Sequence, residues 1–155
     1  MTRGKKNNLD GLFEAWRSCD NAYMKLIRQW GISLNTVWAL DYIAKHPDGV
    51  EPTVLADDTN MLRQTITVVL NDLEKRGFLR REFHATDHRK KIIRLTDEGV
   101  AFSRKVLDTI SGTEQDAADT LSAEEQAQLI LLSRRFGSSF AQKVNEATTN
   151  KKERC

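Results

Sequence analysis

The sequence predicts a mainly α chain with one small β-hairpin, and three observations carry that prediction. Apolar residues recur at three- and four-residue steps over most of the 155 residues, the period of amphipathic helices. Between Gly77 and Thr96 the period falls to two, as in short strands. The breaks between periodic segments fall at Gly31, at Pro47, Asp48 and Gly49, around Asn60, and at Gly77, residue types that end helices or make turns.

Taken in order, Leu9, Leu12, Phe13, Trp16, Cys19, Tyr23, Leu26, Ile27 and Trp30 mark a long first helix that Gly31 closes. Ser33 is placed to cap a second helix, which carries Val37, Trp38, Leu40, Tyr42 and Ile43. Pro52 suits the first turn of a short third helix with Leu55 and Ala56 inward. Asp57 to Asn60 is a tight break. Ile66, Val69, Leu70 and Leu73 then form an i, i+3, i+4, i+7 stripe closed by Gly77. Two helices about a turn, the second with a polar outer face, are the layout of a helix-turn-helix unit.

Two short strands, one from Phe78 to Phe83 and one from Ile92 to Leu95, flank a charged loop at 84–91 and make a β-hairpin. Thr96 caps the next helix, with Asp97 and Glu98 at its positive end. Val100, Val106, Leu107 and Ile110 mark that helix. Ser122 and Glu125 form a capping box for the last helix, which shows Leu129, Leu132, Phe136, Phe140 and Val144. From Thr148 the chain reads as a polar tail.

Bulk composition is that of an ordinary globular chain, and the net charge of +2 predicts no partner. The distribution of charge says more. Residues 75–94 hold eight Lys and Arg against two acids, a net of +6, and residues 97–125 hold eight acids against two bases, a net of −6. Such a concentrated positive block is the electrostatic footprint expected for phosphates. No apolar run approaches the ~18–20 residues of a membrane span, and the first residues lack a signal-peptide core, so a cytoplasmic protein is expected. Cys19 and Cys155 are too few for a disulfide framework and lack metal-ligand spacing.

Two constellations carry chemistry. With its apolar stripe turned inward, the helix after Asn60 shows Arg63, Gln64, Thr65, Thr67, Val68 and Asn71 outward. Arg pairs with guanine, Gln and Asn pair with adenine, and Thr and Val methyls meet the thymine methyl. A plain solvated face has the same composition. The hairpin loop supplies the discriminating context: His88, Arg89, Lys90 and Lys91 are concentrated there, with Arg80 and Arg81 behind them as candidate phosphate contacts. Arg89 suits a narrow minor groove. Asp87 repels DNA and is read as a support that holds Arg89 or ties down the turn. A charged edge that discourages sheet aggregation is the alternative reading of this hairpin.

Leu73–Leu79 (LEKRGFL), Asp87–Arg89 (DHR) and Leu95–Gly99 (LTDEG), in this order and spacing, resemble the winged helix-turn-helix regulators of the MarR family. The resemblance covers roughly residues 9–145. It implies a winged helix-turn-helix lobe over 33–95, a helical dimerisation lobe from 8–31 and 96–147, and flexible tails at 1–7 and 148–155, all in one domain. It also implies a homodimer, a recognition helix in the major groove of a pseudo-palindromic DNA operator, and Arg89 in the minor groove. Members of the family commonly repress genes and release DNA on binding a small, often aromatic, ligand or on oxidation. This chain departs from the family pattern at Leu62, where Ser or Thr usually starts the recognition helix, and Asn60 is an alternative cap. It departs again at Val68, where Arg or another polar residue is frequent.

The same resemblance makes Trp16, Trp38 and Tyr42 candidates for an effector pocket, although aromatics at helical spacing also serve as core or dimer interface. Cys19 is read as a buried structural thiol. His46, His84 and His88 form no metal cluster, and no metal or cofactor is expected. Neither a Gly-rich phosphate loop nor a nucleophile elbow occurs, so no enzyme is predicted. The chain is expected to be a transcription regulator. A winged-helix module that binds acidic proteins without specific DNA binding is the alternative, and a small-molecule carrier is a more distant one.

Overall fold

The computed structural model describes residues 9–83 and 91–152. The elements are α1 (Leu9–Ile27), a 3₁₀ turn (Arg28–Trp30), α2 (Leu34–Ala44), α3 (Pro52–Asp58), α4 (Arg63–Lys75), β1 (Leu79–Phe83), β2 (Lys91–Leu95), α5 (Asp97–Ala118) and α6 (Ala123–Lys152). They fall into two compact units, Met1–Ile110 and Ser111–Cys155. Among the described residues no helix is long and apolar enough to cross a membrane.

The first unit holds two cores. One joins α2, α3, α4 and the hairpin through Leu40, Ile43, Leu55, Leu70, Leu73 and Ile93, each at most 2% exposed. The other joins the end of α1, the start of α2 and α5 through Ile27, Ile32, Val37, Val106 and Ile110. Phe102 packs against both. Removing a side chain such as Leu70 or Leu73 from the first core would cost about 2–5 kcal/mol.

The helix ends follow their local chemistry. Thr36 N–H donates to Ser33 Oγ at 3.2 Å, the expected N-cap of α2, and Pro52 stands in the first turn of α3. Asn60 does not cap α4. It takes a left-handed φ of 53° and closes α3, with its own N–H donating to the Asp57 carbonyl and Met61 N–H to that of Ala56. Leu62 precedes α4 with no side-chain cap at all. An asparagine tolerates the left-handed turn better than most residues, which is why the break falls where it does.

Gly77 closes α4 in the same manner at φ 77°, with Phe78 N–H donating to the Leu73 carbonyl and Gly77 N–H to that of Glu74, both at 2.9 Å. The start of α5 locks onto this turn. Thr96 Oγ1 donates to the Gly77 carbonyl at 2.7 Å, accepts from Gly99 N–H at 3.0 Å, and Thr96 N–H donates to the Phe78 carbonyl at 3.1 Å. Gly99 faces the same carbonyl so closely that an added Cβ would lie 1.9 Å from it. The glycines of LEKRG and LTDEG therefore serve one joint.

The hairpin pairs antiparallel, Leu79 with Leu95 through Phe83 with Lys91. Leu79 and Ile93 turn into the core, and Ile92 is buried on the other face of the hairpin. Val50 adds a short third rung: its N–H donates to the Ile93 carbonyl at 3.1 Å and accepts in return at 2.9 Å. The residues around Val50 show no two-residue period, so this rung had no signature in the sequence.

The second unit contains α6, headed by its capping box. Ser122 N–H and Oγ both donate to Glu125 at 2.8 Å, and Glu125 N–H donates back to Ser122 Oγ at 3.3 Å. The bonds from Ser122 hold the Glu125 carboxyl below its ordinary pKa. The helix continues to Lys152, beyond Thr148 where a tail was expected. Neither Gly nor Pro interrupts residues 138–152, and the hydroxyls of Thr148 and Thr149 donate back to the Asn145 carbonyl.

Substituting Gly99 by Ala should destabilise the protein by about 3 kcal/mol, because backbone rather than a flexible side chain must move. Thermal unfolding followed by circular dichroism should show a midpoint lower by roughly 6–12 °C. An unchanged midpoint would contradict the joint.

Candidate nucleic-acid interface

α4 presents a polar face because its apolar stripe is fully spent on the core: Ile66, Val69, Leu70 and Leu73 are buried. Arg63, Gln64, Thr67, Val68 and Asn71 are exposed, with Val68 at 68%. Thr65 is only half-exposed and stands off this face. Thr67 Oγ1 donates to the Arg63 carbonyl at 2.9 Å, so its hydroxyl is turned back on the helix. Arg63 lies 3.9 Å from Asp57 with both side chains well exposed. A contact of that kind is worth roughly 0–1 kcal/mol and leaves Arg63 available to a ligand.

Of the wing residues, Asp87, His88, Arg89 and Lys90 lie outside the described residues. Lys91 begins β2 and is exposed. The arginines behind the loop differ from expectation. Arg80 and Arg81 were candidate phosphate contacts, yet both are engaged within the lobe. Arg80 Nε lies 2.6 Å from Glu82, and Arg94 reaches the other oxygen of the same carboxylate at 3.1 Å while donating to the Pro47 carbonyl at 2.9 Å. Arg81 donates to Glu74 at 2.5 Å and to Asn71 at 2.6 Å. The physical reason is register: the antiparallel pairing sets Glu82 between Arg80 and Arg94, and the Gly77 turn folds β1 back beside α4. Partly exposed pairs of this kind contribute roughly 0.2–1 kcal/mol each. Their effect is on orientation more than on stability.

Arg76 also turns inward. It donates to the Trp30 carbonyl at 2.9 Å and lies 5.1 Å and 5.3 Å from the ring centres of Phe78 and Phe102, which stack at 4.2 Å. The end of α4 is thereby tied to the turn between α1 and α2 and to α5. Much of the positive block at 75–94 is structural cement. None of these pairings was visible in the sequence, because each spans elements whose relative placement only the fold supplies.

A cleft of about 670 Å³ that includes Trp16 is lined by Asp10, Phe13, Glu14, Arg17 and Asp20, all from α1. Trp38 is half-exposed on α2. Tyr42 packs against the first core, stacks on His46 at 4.2 Å, and its hydroxyl donates to Asp58 at the end of α3. Cys19, expected to be buried, is exposed. Along α1 only Ile27 is fully buried; Tyr23 and Leu26 pack in part against the second core, and Phe13, Trp16 and Met24 are exposed. Among the described residues no three His, Cys, Asp or Glu side chains converge as a metal requires.

Comparison with known proteins places this geometry. Residues 30–90 match the family model described as "MarR family". The transcriptional regulator HosA of Escherichia coli O157:H7 is 31% identical over 94 residues, 61% of this chain and 69% of that relative. The chain belongs to the MarR family. A transcriptional regulatory protein for the hcr operon of Thauera aromatica is 30% identical over 106 residues, which cover 68% of this chain and 63% of that protein's length. Among solved structures, the PcaV transcriptional regulator of Streptomyces coelicolor, in complex with its natural ligand, matches with a TM-score of 0.70 and 25% identity over 89% of this chain and 98% of its own. The winged-helix architecture of the MarR family thus extends over α1 to α6, well beyond the matched 30–90 stretch.

The Tyr42–Asp58 bond has a measurable consequence. Donation to the carboxylate, desolvation and the charge of Asp58 together hold the Tyr42 phenol above its ordinary pKa of 10.0. A raised pKa means that the stabilisation is present below pH 10 and is lost as pH rises through the folded-state value. In a Tyr23→Phe background, which leaves Tyr42 as the remaining tyrosine, Asp58→Asn should lower the pH of phenolate absorbance. An unchanged titration would show that Asp58 does not hold the hydroxyl.

Proposed function

We propose that this MarR-family chain is a sequence-specific, DNA-binding transcription regulator that acts as a homodimer and represses by occupying its operator. The observation that carries the reading is the face of α4. Arg63, Gln64, Thr67, Val68 and Asn71 stand exposed on a helix whose opposite side is locked in the core, beside a hairpin whose connecting loop holds Arg89 and Lys90. Rigid presentation of donors, acceptors and methyls is what base-edge reading requires. The relatives named as transcriptional regulators support it.

The homodimer is supported by apolar side chains left exposed on each unit. Phe13, Trp16 and Met24 are exposed on α1; Leu129, Leu131, Leu132 and Phe140 are exposed on α6. Solvent would not be left against so many large apolar groups without a partner surface. A two-fold dimer reads a pseudo-palindrome with half-sites about 10 base pairs apart. Release by a small, often aromatic, ligand is part of the proposal, and the similar PcaV regulator, solved in complex with its natural ligand, supports a ligand of some kind. In this chain Trp16, Trp38 and Tyr42 are the proposed contacts, Arg89 is the minor-groove probe with Asp87 as its support, and His88, Lys90 and Lys91 flank it. The role is binding, with no catalytic step.

Selection from randomised duplexes tests the reading directly, and an affinity that falls steeply with salt is expected from counterion release. Arg89→Ala should weaken binding to the selected site at least about tenfold while leaving the melting midpoint unchanged. Wild-type affinity in that variant would remove Arg89 from the interface. Gln64→Ala should relax preference at one base pair per half-site by roughly 1–3 kcal/mol without changing the salt slope. Equal loss on every sequence would argue against base reading by Gln64.

A further inference from the structure

We propose that Arg81 makes Asn71 a hydrogen-bond donor toward DNA, so that this position of the recognition helix meets acceptor atoms and does not pair with adenine. The inference rests on the DNA-binding reading above and specifies one of its contacts. Asn71 is exposed on α4, one turn beyond Thr67 and two beyond Arg63 on the same side. A free asparagine offers one oxygen acceptor and two N–H donors and turns either toward a base. Two-point pairing with adenine needs both, with the oxygen turned to the base.

Asn71 is not free to turn. Arg81 Nη2 donates to its Oδ1 at 2.6 Å. A guanidinium has only donors, so the amide must face it with oxygen. Arg81 is itself held. Its Nη1 donates to Glu74 at 2.5 Å, and its backbone lies in β1 opposite Ile93, which is fully buried in β2. Glu74 stands three residues beyond Asn71 on the same helix, so one guanidinium spans two side chains of α4 from the hairpin side. With the oxygen engaged, Asn71 presents its Nδ2 hydrogens. These suit guanine O6 and N7, thymine O4 or a phosphate oxygen, all acceptors; adenine offers them only N7, flanked by the N6 amino group, which is itself a donor. Arg81 is thus a positioning residue, acting through Asn71.

The test uses the full chain, selection from randomised duplexes followed by sequencing, and a melting curve for each variant. Wild type is expected to prefer G or T over A at one position of each half-site. Asn71→Ala should flatten that preference by about tenfold, and Arg81→Met should flatten it likewise by freeing the amide. Arg81→Lys should restore it, because an ammonium also only donates. A merely structural role for Arg81 would lower the melting midpoint without moving the base profile. A uniform loss on all sequences in Asn71→Ala and Arg81→Met, restored in Arg81→Lys, puts the donor on a phosphate oxygen and sustains the proposal. An Asn71-dependent preference for adenine, or a base profile and an affinity both unmoved by Asn71→Ala or by Arg81→Met, overturns it. Should Arg81→Met not fold, Arg81→Gln, which accepts as well as donates, takes its place with the same expected loss. A wild-type chain that selects no sequence and binds no duplex at low salt instead defeats the DNA-binding reading, and this inference with it.

Discussion

The joint between the end of α4 and the start of α5 is the contact on which the rest of the first unit depends. Five backbone and hydroxyl groups, from Gly77, Phe78, Thr96 and Gly99, satisfy one another there. Each would otherwise be an unpaired polar group at a helix terminus, costing about 1–3 kcal/mol if buried. Because the joint brings residue 77 to residue 96, it closes the hairpin at its base and sets where β1 and β2 lie beside α4. It also explains why two glycines more than twenty residues apart, Gly77 and Gly99, both belong to the recognisable pattern: one turns the chain left-handed, and the other leaves room for a carbonyl.

From that joint the charge of the hairpin is distributed between two tasks. Arg76, Arg81 and Arg94 turn toward carboxylates, carbonyls and aromatic rings, and the exposed Arg80 pairs with Glu82 at the surface. Each contact is worth little alone, since the side chains are partly exposed, but together they orient the hairpin and the end of α4 as one body. Among the described residues, those left for a polyanion are on the exposed face of α4, with Lys91 and the exposed part of Arg80. A net charge count of the segment therefore overstates its free positive charge. What matters for steering and for phosphate contact is the set of cations not already held by neighbouring acids.

The fold was legible to a large extent because it is written in period and punctuation. Ser33, Pro52, Gly77 and the Ser122–Glu125 box each act within one turn of the chain, so their roles follow from local geometry. The face of α4 was legible for the same reason: once Ile66, Val69, Leu70 and Leu73 are turned inward, the outward residues are determined. Misreadings came where a local rule had two solutions. Asn60 suits both an N-cap and a left-handed C-terminal turn, and closing α3 took precedence. Cys19 lies on an apolar stripe, but a stripe predicts a buried face only once its partner surface is known, and along α1 only Ile27 is fully buried.

By itself the sequence determined the element order, most of the helix ends, the inward stripes of α2 to α4 and the outward set on α4, because helical and strand periods are properties of neighbouring residues. Tertiary structure alone decided which charges are spent and which remain. It paired Arg81 with Asn71 and Glu74, Arg94 with Pro47, and Tyr42 with Asp58, over separations of 7 to 47 residues. Pairing at such distances depends on where a turn sends the next element, a quantity that no local period contains.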